Sequence, residues 1–253
     1  MRNYDHAPDT DFAGKDYRRF LDRLPRVQAT IERVVPKGDV GIYSVAVNRA
    51  LDAARYGWAL GEPVEDVAAL LRRAAGWVAE GLDRGRTLDT LIVPRWLGIA
   101  MVVGDRELAA RIAGAIPEGV ARLEEKSAVG RWFLAGLAAL ALSRAATAAQ
   151  AAGEMTTWLG SAETSPGAAE AYEALDRLLA ATAEVDQAGF DTAAAARSSA
   201  LARDFGRSIE QRRNPNGLLD LPGAAVAAAA HRAGLTLPAG NAYLGTELIE
   251  SGA

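Results

Sequence analysis

The spacing of apolar residues most constrains the fold, because they recur at alternating steps of three and four along most of the chain. The clearest series follows Pro63 and consists of Val64, Val67, Leu71, Ala74, Val78 and Leu82. This spacing matches the turn of an α-helix and predicts an amphipathic helix. A similar series covers residues 42–58, and Gly61 and Pro63 separate the two. Because glycine ends helices and proline favours their first turn, a helical hairpin is predicted.

The same pattern continues downstream and predicts about nine to eleven helices in all. Thr87 is expected to begin one helix, and Asp105 to cap the next after Gly104. The apolar run 132–142 predicts a central helix, and the alanine-rich residues 222–233 predict a buried helix between larger neighbours. The predicted class is all-α, either an irregular multi-helix bundle or a short solenoid-like stack of helical hairpins. We predict a flexible N-terminal segment over residues 1–15 and a single all-helical domain over residues 16–253.

Composition narrows the chemistry that such a fold could perform. The chain has no cysteine and two histidines, His6 and His231, which excludes thiolate chemistry and leaves little material for imidazole catalysis. His231 stands among alanines without a second ligand at helical spacing, and His6 lies in an acidic start where we expect it to be solvated. We therefore predict no catalytic residue, no metal site and no cofactor.

Net charge and the length of the apolar runs predict the compartment. A net charge of −4 and a pI near 5.4 argue against direct nucleic-acid binding. The longest apolar run, at eleven residues, is shorter than the roughly 20 that a helix needs to cross a bilayer. Residues 1–15 lack the basic-then-apolar order of a secretory signal. The prediction is a cytoplasmic protein without a membrane partner.

Acidic residues are concentrated between residues 151 and 191. They are Glu154, Glu163, Glu170, Glu173, Asp176, Glu184, Asp186 and Asp191. The only base in this segment is Arg177, so its charge is −7, while the rest of the chain sums to +3 because the whole is −4. Like charges one helical turn apart are destabilising. Two interpretations remain open: a solvated helix face, or a surface that binds a basic protein. We take the eight acids as candidate partner-binding residues.

The C-terminal part of the chain resembles a known family. The similarity is carried by Gly217-Leu218-Leu219, Leu221-Pro222, Arg232-Ala233-Gly234-Leu235, Tyr243-Leu244 and Leu248-Ile249. These residues, within 214–249, resemble the C-terminal end of the immunity protein 49 family, predicted antitoxins of bacterial polymorphic-toxin systems. Gly245 stands where the family pattern has proline after the Tyr-Leu pair. The matching positions are mostly fold positions, so the resemblance transfers no binding residue.

The resemblance implies an immunity protein that neutralises a cognate secreted toxin by occlusion without being an enzyme. Its partner would have a basic active-site cleft, for example that of a nuclease, which the acidic segment would complement. Two alternatives remain open at this point. One is a helical-repeat-like scaffold or regulator that binds peptides or proteins, and the other is an all-α enzyme.

Overall fold

The chain folds into α-helices. The computed structural model describes residue 2 and residues 4–88, 92–116, 128–161 and 166–252, and these ranges contain twelve α-helices and no β-strand. The helices are α1 Thr10–Val34, α2 Ile42–Leu60, α3 Val64–Asp83, α4 Val93–Val102, α5 Arg106–Gly114, α6 Ala128–Ala141, α7 Ala145–Leu159, α8 Pro166–Glu184, α9 Gln187–Gly206, α10 Ile209–Arg212, α11 Leu221–Arg232 and α12 Thr246–Glu250. The predicted all-α class is confirmed. The helix number exceeds the expected range by one, and α10, with four residues, is too short to show a period.

The contacts of helix α11 distinguish between the two predicted arrangements, a bundle and a solenoid-like stack. Most helices pack against their neighbours in the chain, as α1 does against α2 and α6 against α7, but α11 contacts α4, α6 and α8 as well as α12. In a solenoid each unit contacts only the units next to it. The arrangement is therefore an irregular multi-helix bundle, with α11 near its centre.

The small side chains of α11 allow close packing, as the sequence predicted. Every residue from Gly223 to Ala230 is buried. On the facing helix α4, a Cβ atom added at Gly98 would lie 3.0 Å from Cγ of Leu221. Glycine and alanine therefore let the backbones of α4 and α11 approach more closely than larger residues would permit.

Turn residues set several helix boundaries as expected, and one boundary differs. Gly61 ends α2 with a φ of 80°, which favours glycine, and the hairpin with α3 forms. Asp105 caps α5 by accepting a hydrogen bond from the backbone N–H of Leu108 at 2.9 Å. The helix predicted from Thr87 instead begins at Val93, with Pro94 in its first turn. Proline inside a helix removes a hydrogen bond and clashes with the preceding turn, which favours a start at this position.

One large apolar core includes residues of most of the described helices, α1 and α12 among them, and a small second cluster consists of Ala139, Ala148 and Ala183. The largest fully buried side chains of the large core include Trp58, Trp96 and Phe190, and Leu137 of α6 is also fully buried. The structure therefore places part of the predicted central helix in this core. Within the described ranges, none of the helices combines the length and apolarity that crossing a bilayer would require.

The N-terminal residues pack against the C-terminal end of the chain. In the segment 1–15, which we predicted to be flexible, α1 already begins at Thr10. Tyr4 donates a hydrogen bond to the carbonyl of Leu218, and Nδ1 of His6 lies 2.8 Å from the hydroxyl of Tyr243. His6 is buried, so the prediction that it is solvated was wrong. Its partner lies 237 residues away, which local sequence reasoning cannot detect.

We expect the free energy of unfolding to decrease as the pH falls below about 6.5, because His6 is buried. Burial, and secondarily the charge of Arg212, lower the pKa of His6, while Asp5 acts in the opposite direction. Between the folded and unfolded pKa values the unfolded chain binds more protons. The stabilising contribution is thus complete above the unfolded pKa and is lost as the pH falls toward the folded pKa. Urea unfolding across a pH series should show this loss in the wild type and a smaller one in His6→Gln.

The other histidine supplies the matched control for this measurement. His231 is exposed in the last turn of α11. His231→Gln should retain the pH dependence of the wild type. Equal pH slopes in His6→Gln and in the wild type would contradict the assignment of the acid sensitivity to His6.

Candidate functional site

The structure distributes the predicted partner-binding acids over two packed hairpins. Glu154 lies in α7, Glu170, Glu173, Asp176 and Glu184 lie in α8, Asp186 lies in the α8–α9 turn, and Asp191 lies in α9. Glu163 lies outside the described residues. Glu154 is half-buried. The remaining six acids do not form one uniform surface, because their environments differ.

Glu170 and Glu173 are exposed but already paired with bases of the chain. The carboxylate of Glu170 accepts a hydrogen bond from Arg203 of α9 at 2.5 Å, and that of Glu173 pairs with Arg177 one turn along α8. Exposed ion pairs contribute only about 0–1 kcal/mol to stability. They do, however, neutralise much of the local field that a basic partner would encounter.

Asp176 is buried, which contradicts the prediction that it belongs to a solvated stripe. Its Oδ2 accepts a hydrogen bond from Oγ1 of Thr156 in α7 at 2.7 Å, and burial raises its pKa. Among the described residues, Oδ1 has no hydrogen-bond partner. Asp176 therefore connects α7 and α8 inside the fold. A lysine at this position would exchange the carboxylate that Thr156 contacts for a buried ammonium group and would destabilise the hairpin.

The acids that remain available lie around the turn between α8 and α9, which we name the acidic turn: Glu184, Asp186 and Asp191. All three are exposed, and none of them forms an ion pair within the described part of the chain. Between them Val185 is 52% exposed and has a φ of 57°, a strained conformation for a β-branched residue. A shallow depression of about 420 Å³ beside the turn is lined by Glu184, Asp186 and small residues of both helices, together with Arg177, which pairs with Glu173. The acidic turn thus combines exposed carboxylates that form no ion pair in the described residues with an accessible concave surface.

A second site was not predicted from the sequence, and we name it the arginine cleft: Arg55, Arg95, Arg197 and Asp220. The cleft has a volume of about 290 Å³ and lies where α2, α4, α9 and the start of α11 meet. The rest of its lining is Pro94, Leu201, Phe205, Asn216, Leu221 and Pro222.

One arginine of the cleft has a strong internal partner. Nε and an Nη atom of Arg197 donate hydrogen bonds to the two carboxylate oxygens of Asp220, at 2.7 and 2.9 Å, and both residues are buried. Burial by itself would lower the pKa of Arg197, but the charge of Asp220 and the hydrogen bonds to it outweigh burial and raise it. The pair is a bidentate, charge-assisted contact between α9 and the N-cap of α11.

The other two arginines are much less compensated. Arg55 is 5% exposed, its Nη1 lies 3.7 Å from Oδ1 of Asp52, and its buried Nε has no hydrogen-bond partner among the described residues. Burial first, and then repulsion from Arg95, lower the pKa of Arg55 to about 10, while Asp52 and Asp220 act in the opposite direction. At neutral pH Arg55 therefore remains cationic. Arg95 is half-buried and donates to the neutral amide oxygen of Asn48 at 2.5 Å.

The spacing of two arginines in the sequence could have indicated the arginine cleft, although the chain contains many other arginines. Arg55 lies four residues after Leu51 and three before Trp58, both core residues of α2. Arg197 similarly lies three residues after Ala194 and four before Leu201. Residues at these spacings share a helix face. A charged residue on an apolar face indicates either a buried ion pair or a binding site.

Comparisons with known proteins add no relative. No protein-family model, curated protein or solved structure matches this chain. Within the described ranges, no three histidine or acidic side chains come together in a way that could hold a metal ion. The two sites defined above are therefore the basis for proposing a function.

Proposed function

We propose that this chain is an immunity protein that binds a cognate bacterial toxin and neutralises it by covering the active site. The resemblance of residues 214–249 to the immunity protein 49 family suggests this class. Leu218, Leu219 and Leu244, which carry part of that resemblance, are buried. These positions belong to the core and are not accessible to a partner. The binding surface therefore has to be identified from charge and exposure.

The observation that carries the proposal is the acidic turn. Its three carboxylates are exposed and form no ion pair within the described residues, and Asp191 accepts a hydrogen bond from the neutral amide of Gln187 at 2.9 Å, so their field extends into solvent. A toxin that attacks nucleic acid has a basic cleft, and complementary charge steers such a cleft toward the inhibitor. The depression between the ends of α8 and α9 offers a concave surface at the same place. The proposed contact is smaller than the eight-residue stripe expected from the sequence.

We expect the triple variant Glu184→Lys, Asp186→Lys, Asp191→Lys to associate with the cognate toxin at least about tenfold more slowly at low salt. The reversals replace attraction by repulsion at the contact, and their effect should decline with salt because the Debye length is about 8 Å at physiological ionic strength. Circular dichroism should remain that of the wild type because all three side chains are exposed. Stopped-flow association across a salt series measures the effect.

A matched control has the same change in net charge at other exposed positions: Asp22→Lys, Glu32→Lys, Glu250→Lys. This control should keep most of the wild-type association rate. If both triple variants slow association equally, only net charge matters and the acidic turn is not the contact.

Co-expression tests the function itself. The toxin encoded by the adjacent gene should arrest growth, the wild-type chain should restore it, and the acidic-turn variant should restore it less well. An adjacent gene that encodes no toxin, or a toxin whose effect persists during co-expression, would overturn the proposal. Capture of a peptide or regulator in place of a toxin would favour the alternative of a helical scaffold.

A further inference from the structure

We propose that the arginine cleft binds a small organic oxyanion, a molecule with a carboxylate or phosphate group attached to a compact apolar body. The ligand's anionic group would lie between Arg55 and Arg95, and its apolar part against the wall formed by Leu201, Phe205 and Leu221. This site is separate from the acidic turn and does not depend on the proposed function.

Arg55 is the first reason to expect an anion. A buried guanidinium is costly unless its charge and its N–H groups are satisfied. Arg55 forms an ion pair with Asp52 at 3.7 Å, a separation longer than a hydrogen bond, and its Nε has no hydrogen-bond partner in the described part of the chain. An oxyanion in the cleft would supply the missing acceptor and would add to the partial compensation that Asp52 gives.

Arg95 is the second reason. Its hydrogen bond goes to the uncharged amide of Asn48, and the acid that interacts electrostatically with it, Asp52, is shared with Arg55. With Arg197 held by Asp220, the charged lining of the cleft sums to +2, from three arginines and one aspartate. Guanidinium groups present paired N–H donors that match the oxygens of carboxylates and phosphates. Two such groups facing one cleft favour an oxyanion over a neutral ligand.

The backbone around the cleft adds to this preference. Pro94 and Arg95 lie in the first turn of α4, and Leu221 and Pro222 lie in the first turn of α11. Helices of ten and twelve residues thus direct their N-terminal ends toward the same cavity. The positive ends of helix dipoles favour anions. They reinforce a site that the unsatisfied arginine already indicates.

The volume and the apolar wall define the class of ligand. Cavities for drug-sized molecules span about 300–1,000 Å³, and the arginine cleft, at about 290 Å³, lies at the lower limit of that range. Phe205 and two leucines leave room for a ring or a short aliphatic group beside the charge. A monoanion or dianion with an aromatic or branched body fits this description.

Isothermal titration calorimetry with defined probes tests the inference on the intact chain. Benzoate and phenyl phosphate represent the two oxyanions, inorganic phosphate lacks the apolar body, and benzyl alcohol lacks the charge. We expect benzoate or phenyl phosphate to bind at least about tenfold more tightly than either inorganic phosphate or benzyl alcohol. The better of the two organic anions identifies the source as a carboxylate or a phosphate ligand.

Arg95→Gln is the decisive variant because its side chain is half-buried and its replacement should leave the fold intact. It should weaken binding of the preferred anion by about tenfold or more. Arg72→Gln removes an exposed arginine of α3 that does not line the cleft, and it should bind as the wild type does. Arg55→Met replaces a buried residue and is therefore informative only if the variant folds. The result with Arg95→Gln tests the inference whether or not Arg55→Met folds. Absence of binding by both organic anions, or equal binding by Arg95→Gln and the wild type, would overturn the inference.

Discussion

Asp220→Ala is expected to lower the free energy of unfolding by about 3–5 kcal/mol. The substitution removes both acceptors of the bidentate contact with Arg197, whose guanidinium is buried between α9 and α11. Removing one member of a buried pair leaves the other charge in the interior without its counter-ion, which costs more than the pair itself contributes. Asp220 also lowers the local excess of positive charge at Arg55, so its loss increases the repulsion in the arginine cleft. Urea unfolding followed by circular dichroism measures the change.

Two further variants separate the lost charge pair from other effects at the start of α11. Replacing Arg197 by Met in the Asp220→Ala background removes the stranded cation and should recover most of the lost stability. Glu170→Ala removes the partner of an exposed arginine, Arg203, and should cost no more than about 1 kcal/mol because both side chains are close to half-exposed or more. A loss of similar size in Asp220→Ala and Glu170→Ala would show that burial of the Arg197 pair has little energetic importance.

Leu137→Asp should be the most damaging change in α6, with an expected loss of at least about 4 kcal/mol. The leucine side chain is fully buried in the core. Its replacement removes apolar contacts, leaves a cavity and places a carboxylate in the apolar core. Because domains of this size are stable by about 5–15 kcal/mol, the variant should be unfolded or insoluble at ordinary temperature. Soluble yield and the helical circular dichroism signal report the result.

Gln150→Asp is the control for this prediction. It introduces the same side chain at an exposed position of the next helix, α7. This variant should express well and unfold within about 0.5 kcal/mol of the wild type. If Leu137→Asp gave a folded protein of similar stability, the position assigned to α6 within the core would be wrong.

The sequence by itself predicted the helical class and several helix boundaries. The steps of three and four between Val64 and Leu82 correspond to α3, and Gly61 and Pro63 separate it from α2 as expected. The alanine-rich segment also corresponds to a buried helix, α11. These features can be predicted because helix period and termination depend on residues within a few positions of one another.

The sequence did not predict which acids remain available to a partner. In the sequence the eight carboxylates lie in one acidic segment and cannot be told apart. In the structure Asp176 is buried against Thr156, and Glu170 pairs with Arg203. Among the acids of this group that the structure describes, Glu184, Asp186 and Asp191 are exposed and form no ion pair. A helix period indicates which residues share a face but does not say which other helix covers that face.

The arginine cleft and the burial of His6 were decided only by the tertiary structure. Arg197 and Asp220 are 23 residues apart, and His6 and Tyr243 are 237 apart, so no local pattern specifies either contact. The energies of charges and polar groups depend on solvent exposure and on partners brought together by packing. Apolar spacing therefore determined that the chain forms helices, whereas the packing of those helices determined which charges are neutralised and which remain able to bind.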